Sequence, residues 1–282
     1  MVKVSADSTC DLSEELIEKY NIIIQPLHIL KGSEEFLDGI DIMPTDIFAY
    51  FNETGNLCKT AAVSVADYVE LFSRLTSDGS ELVHVTISSE MSACYQNACI
   101  AAKDFNGVYV VDSRNLSTGI GHIVIESAKL AMSGMSAAMI HERMQELTKY
   151  VEASFIIDKL DYLKKGGRCS AVAALGANLL KLKPCIEVKN GVMAVGKKYR
   201  GSFEKVLSEY VADKLARRDD LLEDRIFVTY ASGTSKEAVQ MAYDAVLRNA
   251  NFKQVEKTYA GCSISSHCGP VCLGVLYIRK PE

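Results

Sequence analysis

Residues Leu82–Ala98 read LVHVTISSEMSACYQNA, and the fold turns on them. Leu82 to Ile87 is a β-type run of the length of a buried strand, and a helical pattern starts directly behind it. A strand that hands over to a helix in this way is the building unit of a parallel α/β sheet. The same handover leaves unpaired amides and the positive end of a helix dipole near Ser88, Ser89 and Ser92. Serines there are ordinary N-caps, and capping accounts for one or two of them without a ligand. A binding edge is the second reading.

Working outward, Val2 to Ala6 predicts a buried strand, and DSTCDLSEELIEKY a loop and helix, with Asp11 and Glu14 spaced as a capping box. IIIQPLHIL predicts a second strand, from which KGSEEFLDGI returns through a Gly-Ser turn. Helices are predicted over PTDIFAYF, VADYVELFSRL and EMSACYQNACIAAKDF. VYVVD predicts a strand, and Gly119 to Met132 and Ala137 to Tyr150 predict helices. The rhythm changes at SFIID, which places a domain boundary near Val151 to Ser154 and gives domains 1–152 and 153–282. In the second half, AVAALGANLL, FEKVLSEYVADKL and KEAVQMAYDAVL predict helices, and PCIEVKNGVMAVGKKY a hairpin turning at Asn190-Gly191. RIFVTYA, VEKTYAG and two closing strand-like runs complete it. The expectation is an α/β protein: an N-terminal three-layer α/β/α domain with a parallel sheet, then an α+β domain on a mixed or antiparallel sheet.

With 282 residues, 48% of them hydrophobic, the chain can bury a large core, and its length fits two domains. A net charge of -5 supplies no basic field for a phosphate backbone, so no nucleic-acid partner is expected. MVKVSADST lacks the long apolar region of a signal peptide, and GIGHIVIESAKLAM is interrupted by His122, Glu126 and Lys129. A soluble, cytoplasmic protein without a transmembrane segment is expected. Nine scattered cysteines fit reduced thiols. Cys262, His267, Cys268 and Cys272 invite a metal test, but they lack doubled C-x2-4-C spacing, and Cys272 opens the strand-like VCLGVLYI. No metal and no other cofactor is expected.

GVMAVGKK, Gly191 to Lys198, matches the first seven positions of a phosphate-binding loop, yet a lysine replaces the magnesium-binding hydroxyl and no helix follows. Gly119-Ile120-Gly121 lacks the third glycine of a dinucleotide fingerprint and reads as helix packing. Serines and His267 keep a hydrolase reading open, although no G-x-S-x-G elbow is present. That rival, an ester or thioester hydrolase, would use Ser92 or Ser89 as nucleophile and His267 as base.

Two further segments repeat the hydroxyl chemistry of the opening stretch. In KTAAVS, Thr60 follows Lys59 just before a helix; in SISSHCGP, His267 lies between serines and Gly269-Pro270. If the three segments converge, their hydroxyls and imidazole suit one carboxylate.

At these residues the sequence resembles the DegV family of bacterial fatty-acid-binding proteins across essentially its full length. VSADSTCDLSEEL resembles the family's opening strand and D-S-T-x-D-L motif, and PLHILKGSEEFLDGIDI its second strand and D-G-x-D-I turn. KTAAVS stands at K-T-S-Q-P-S, SSEMSACYQNA at S-S-x-L-S-G-T-Y-Q-x-A, LDYLKKGGRCS at L-x-x-L-x-K-G-G-R-I-S, and SHCGP at T-H-T-G-P. The resemblance implies two domains enclosing a long-chain fatty acid. Thr60 and Ser92 match the family's carboxylate donors, and His267 its head-group histidine; Ser89 belongs to the same serine block. Arg168 and Arg200 match basic residues near the head group or at a partner surface; a surface salt bridge is the alternative for either. Ala61, Ala62, Val63, Ala93, Cys94 and Cys268 depart from the family pattern. The resemblance further implies a carrier that presents the acid to a separate ATP-dependent fatty-acid kinase, the carrier itself not being an enzyme. A lipid buffer without a kinase is the third hypothesis.

Overall fold

A computed structural model describes residues 1–169 and 182–281 of the chain. The helix expected over AVAALGANLL, 171–180, lies outside them. In chain order the first half runs β1 (Val2–Asp7), α1 (Glu14–Lys19), β2 (Ile22–Gln25), β3 (His28–Lys31), β4 (Glu34–Leu37), α2 (Pro44–Thr54) and β5 (Lys59–Ala61). It continues through α3 (Val65–Thr76), β6 (Glu81–Thr86), α4 (Cys94–Ala102), β7 (Val108–Asp112), α5 (Thr118–Met132) and α6 (Ala137–Leu147). The second half runs β8 (Val151–Ile157), α7 (Asp161–Gly166), β9 (Leu182–Lys189), β10 (Val192–Arg200), α8 (Phe203–Leu215) and β11 (Leu221–Tyr230). It ends with α9 (Lys236–Asn249), β12 (Gln254–Tyr259), α10 (Cys262–Cys268) and β13 (Cys272–Arg279).

Strands β2-β1-β6-β7 form a parallel sheet, with Val4 opposite Ile22, Ala6 opposite Val85 and His84 opposite Val110. Leu82 to Thr86 are buried on both faces, as an apolar run inside a parallel sheet must be. The second sheet is mixed, in the order β10-β9-β8-β13-β11-β12, with only β11 and β12 parallel. A third, small antiparallel sheet has the order β4-β3-β5.

Helix α5 joins the two large sheets. It packs on β1 and β6 of the parallel sheet and on β8 and β13 of the mixed one, so it is buried almost all round from Thr118 to Ala128. Its one imidazole, His122, is fully buried and bonds the Leu276 carbonyl of β13 through Nε2 at 3.0 Å. Burial, with the nearby Arg225 charge, pushes that ring down to about 3, so it is neutral at physiological pH. One apolar cluster therefore runs from Val83 through Ile123 to Ile157 and Leu276. A second, built on Leu207, Tyr210 and Ala242, lies beneath α8 and α9.

The Asn190-Gly191 turn forms as read: both residues take positive φ, 52° and 84°, and Val192 faces Lys189 across the β9–β10 hairpin. GVMAVGKK is thus mostly strand, without the following helix a phosphate loop needs.

Four expectations need correction. IIIQPLHIL is two strands in different sheets, because Pro26 fixes φ and has no amide with which to continue the ladder. The α1 cap is Ser13, whose Oγ accepts from Leu16 N at 3.4 Å; Asp11 takes a left-handed conformation and its carboxyl is used elsewhere. The helix read over EMSACYQNACIAAKDF starts only at Cys94, after a turn at 88–93. The first closing strand-like run is instead the short helix α10.

Candidate functional site

Three chain segments meet at one cavity. Thr60 is placed by strand pairing, since β5 lies beside β3 with Thr60 opposite Ile29. The loop after it is pinned at both ends. Ser64 and Asp67 form a reciprocal capping box at 3.1 Å in each direction, and Asn97 Nδ2 of α4 donates to the Val63 carbonyl at 2.8 Å. Because Asn97 belongs to the helix behind Ser92, one hydrogen bond fixes the Thr60 loop to the Ser92 segment.

His267 arrives from the other end of the chain on α10, whose start is held by two buried carboxyl groups. Asp38 accepts from the amides of Cys262 (2.9 Å) and Ser263 (3.1 Å) and from Ser8 Oγ (3.0 Å). Asp11 accepts from the Gly261 amide (2.8 Å) and from Ser117 Oγ (2.5 Å). Burial pushes the Asp11 carboxyl up to about 8, against the opposing pull of those two donors. The D-S-T-x-D-L and D-G-x-D-I blocks therefore act as a clamp on the helix that carries the imidazole.

The clamp brings His267 Nε2 to 3.1 Å from Thr60 Oγ1, across 207 residues of sequence. Gly166 of α7 lies so close over the ring that a Cβ there would sit 2.3 Å from Nδ1. Nδ1 has no hydrogen-bond partner. Burial, and secondarily the charge of Arg168, lower the His267 pKa from 6.5 to about 4. A neutral ring protonated at Nε2 donates to Thr60 and leaves the Thr60 hydroxyl free to donate onward.

The cavity has a volume of about 260 Å³, and Thr60, Ser92, His267 and Arg168 all line it. Leu27, Ile87, Met91, Leu116, Met193 and Ile264 supply an apolar wall. Leu116, Ile264 and Cys268 also border a smaller void that continues toward Phe155, Ala231 and Leu276. A wall of this kind, apolar apart from one polar group of residues, suits an amphiphile with a single anionic head.

The structure leaves Ser89 and Arg200 outside this cavity. Ser89 donates to Asp112 Oδ2 at 2.5 Å on an exposed edge, and Arg200 is exposed at the end of β10, opposite Leu182. Ser88 donates to the Gly191 carbonyl at 2.7 Å, so each serine of the opening stretch has a different task. Two hydroxyls escaped the sequence reading: Thr9 and Ser263 line the cavity, are buried, and have no hydrogen-bond partner. Thr9 stood inside the D-S-T-x-D-L block and Ser263 in the segment SISSHCGP, but no periodicity marks which hydroxyl of a loop faces inward. Of the departures from the family pattern, Ala61, Ala62, Ala93 and Cys268 are themselves wall residues.

The Ser92–His267 pair of the hydrolase reading is not assembled: Ser92 Oγ donates to Cys94 Sγ at 3.1 Å, while His267 bonds Thr60. A Ser5–His84–Asp7 chain exists, at 2.8 and 3.2 Å, but all three residues are fully buried and out of reach of substrate. Cys262 donates to the Ile42 carbonyl at 3.1 Å, away from the imidazole.

A family model described as an uncharacterised DegV family matches residues 1–280. The chain belongs to the DegV family. A DegV domain-containing protein of Clostridium perfringens is 30% identical over 283 residues, covering 99% of each chain. A solved DegV family protein from Thermus thermophilus, described by its fatty-acid binding, has a TM-score of 0.86 at 25% identity, with 99% of each chain covered. A stearic-acid-binding protein from Eubacterium ventriosum has a TM-score of 0.83, again at 25% identity and 99% coverage of each. Among the described residues of this DegV protein, no helix is long and apolar enough to cross a membrane.

Asp38→Ala should lower stability by about 2–4 kcal/mol, since two buried amides lose their acceptor; an unchanged urea midpoint would rule out the clamp. The His267 ring should titrate near pH 4 by NMR, not near 6.5. Because its folded pKa lies below the unfolded value, its contribution to stability is present above pH 6.5 and is lost as pH falls through about 4.

Proposed function

We propose that this DegV protein binds a long-chain fatty acid between two domains, residues 1–152 and 153–282. The carboxylate is held by Thr60 and Ser92 beside His267, with Arg168 at the rim, and the tail lies along Leu27, Ile87, Leu116, Met193 and Ile264. The observation that carries this reading is the cavity itself: an apolar wall with the Thr60–His267 pair among its few polar groups. Relatives from Thermus thermophilus and Eubacterium ventriosum, described as fatty-acid-binding, support it. The unpartnered hydroxyls of Thr9 and Ser263 would be satisfied by the same head group.

Burying about fifteen methylene-sized groups at ~0.8 kcal/mol each gives an upper limit near ~12 kcal/mol before ordering and association costs. Hydrogen bonds to the charged carboxylate add roughly 1.5–3 kcal/mol each, partly cancelled by desolvation. The tail therefore sets affinity and the head sets direction.

The finer reading is a carrier in the cytoplasm that presents the acid to a separate ATP-dependent kinase. In that transfer a carboxylate oxygen attacks the γ-phosphorus of ATP held by the partner, the bond to the β,γ-bridging oxygen breaks, and ADP leaves. Exposed Arg200 is a contact for the partner in this reading. Ser89, already bonded to Asp112, takes no part in holding the head group.

Thr60→Ala combined with Ser92→Ala should weaken retention of a labelled fatty acid by about tenfold, the loss of one to two charge-assisted hydrogen bonds, while the protein keeps its circular dichroism spectrum. Retention equal to wild type would remove the proposed head-group site. Phosphorylation of the bound acid by a soluble kinase separates a kinase subunit from a lipid buffer.

A further inference from the structure

The buried Ser5–His84–Asp7 chain does not stop at Asp7. Asp7 Oδ1 also accepts from the Tyr68 hydroxyl of α3 at 2.7 Å, and Oδ2 from the Ile87 amide at 3.1 Å, just past the end of β6. With the single phenol proton committed to Asp7, the Tyr68 oxygen is left to accept, and the Cys94 thiol hydrogen-bonds it. Burial, with the Asp7 charge, pushes that thiol up to about 12, so it keeps its proton. Its sulfur accepts from two sides: from Ser92 Oγ at 3.1 Å, and from the Val63 amide in the loop that follows Thr60.

An unbroken chain therefore runs from Ser5 through His84, Asp7, Tyr68 and Cys94 to Ser92, that is, from the middle of the parallel sheet to the cavity wall. Tyr68 and Cys94 are fully buried, and neither is a wall residue of the cavity. A core that had only to pack would carry none of these polar groups, each of which costs free energy to bury unless it is bonded. Ser92 Oγ also accepts from the Cys94 amide at 3.3 Å, so both of these contacts of the hydroxyl run through residue 94.

We propose that Tyr68 and Cys94 are positioning residues for the Ser92 hydroxyl: the chain anchored at Asp7 fixes where it lies, and the sulfur holds its proton until a carboxylate takes it. This assignment rests on the main cavity being the fatty-acid site. Sulfur is a weak acceptor and a carboxylate a strong one, so the proton changes partner at little cost. Only the proton has to rotate when the head group arrives. The serine oxygen stays on the Cys94 amide, and the sulfur keeps its bond from Val63.

The test measures binding of myristate and of tetradecanol, the same tail without the carboxylate, to the full chain, to Tyr68→Phe and to Cys94→Ala. Each variant should lose about three- to tenfold of its myristate affinity, one hydrogen bond's worth, and keep tetradecanol affinity within about twofold. Cys94→Ser, which retains a donor and an acceptor at that position, should recover most of the loss. In a Ser92→Ala background, Tyr68→Phe should cost nothing further, because it acts through Ser92. The carboxyl of bound myristate, followed by carbon NMR, should titrate at higher pH in Tyr68→Phe than in wild type, its charged form having lost a donor. Equal loss for both ligands, no loss of myristate affinity, an unchanged carboxyl titration, or a full additional loss in the Ser92→Ala background overturns the assignment and leaves the fatty-acid reading standing. Wild-type protein that binds neither ligand removes that reading as well. Should Tyr68→Phe fail to fold, the contrast between Cys94→Ala and Cys94→Ser decides.

Discussion

Asp11 and Asp38, two buried carboxyl groups near the start of the chain, accept the amide protons of Gly261, Cys262 and Ser263 near its end. Those amides begin a seven-residue helix, too short to form alone. Left without acceptors in a buried setting, each would cost about 1–3 kcal/mol. With them, the helix is fixed in direction, and its last turn sets His267 against Thr60. The cavity wall follows from that contact, because Ser263, Ile264, His267 and Cys268 all belong to the clamped helix.

The two large sheets and most of the helices were legible in the sequence because their signals are local. A continuous apolar run marks β6, helical spacing marks α3 and α9, and Asn190-Gly191 marks the hairpin. What local pattern cannot supply is the partner of a polar side chain. Asp11 resembled a cap for the helix beside it, yet its partners lie at Ser117 and Gly261. Cys262–Cys268 carries no strong helical period, and its start depends on acceptors more than two hundred residues away. Pro26 was visible, but not that it separates two sheets.

The site was legible to a comparable degree and for a different reason. Thr60, Ser92, Arg168 and His267 were reached through motif blocks, and the structure brings these four to one cavity. Ser89 shares a block with Ser92 but is drawn to Asp112 by the alternation of the turn that carries it. Thr9 and Ser263 were passed over because a buried hydroxyl without a partner is a three-dimensional fact. Alanines and a cysteine where the family has more polar or smaller residues make this wall more apolar, and the imidazole in it is neutral.

The account requires a lipid inside the protein, and the protein itself can report it. Chain purified from a bacterial host without added lipid is to be unfolded in organic solvent and the released small molecules weighed by mass spectrometry. A near-stoichiometric long-chain fatty acid, depleted in a Thr60→Ala, Ser92→Ala preparation made alongside, is the predicted result. Wild-type protein that releases no acyl chain, and takes none up when fatty acid is supplied, contradicts it.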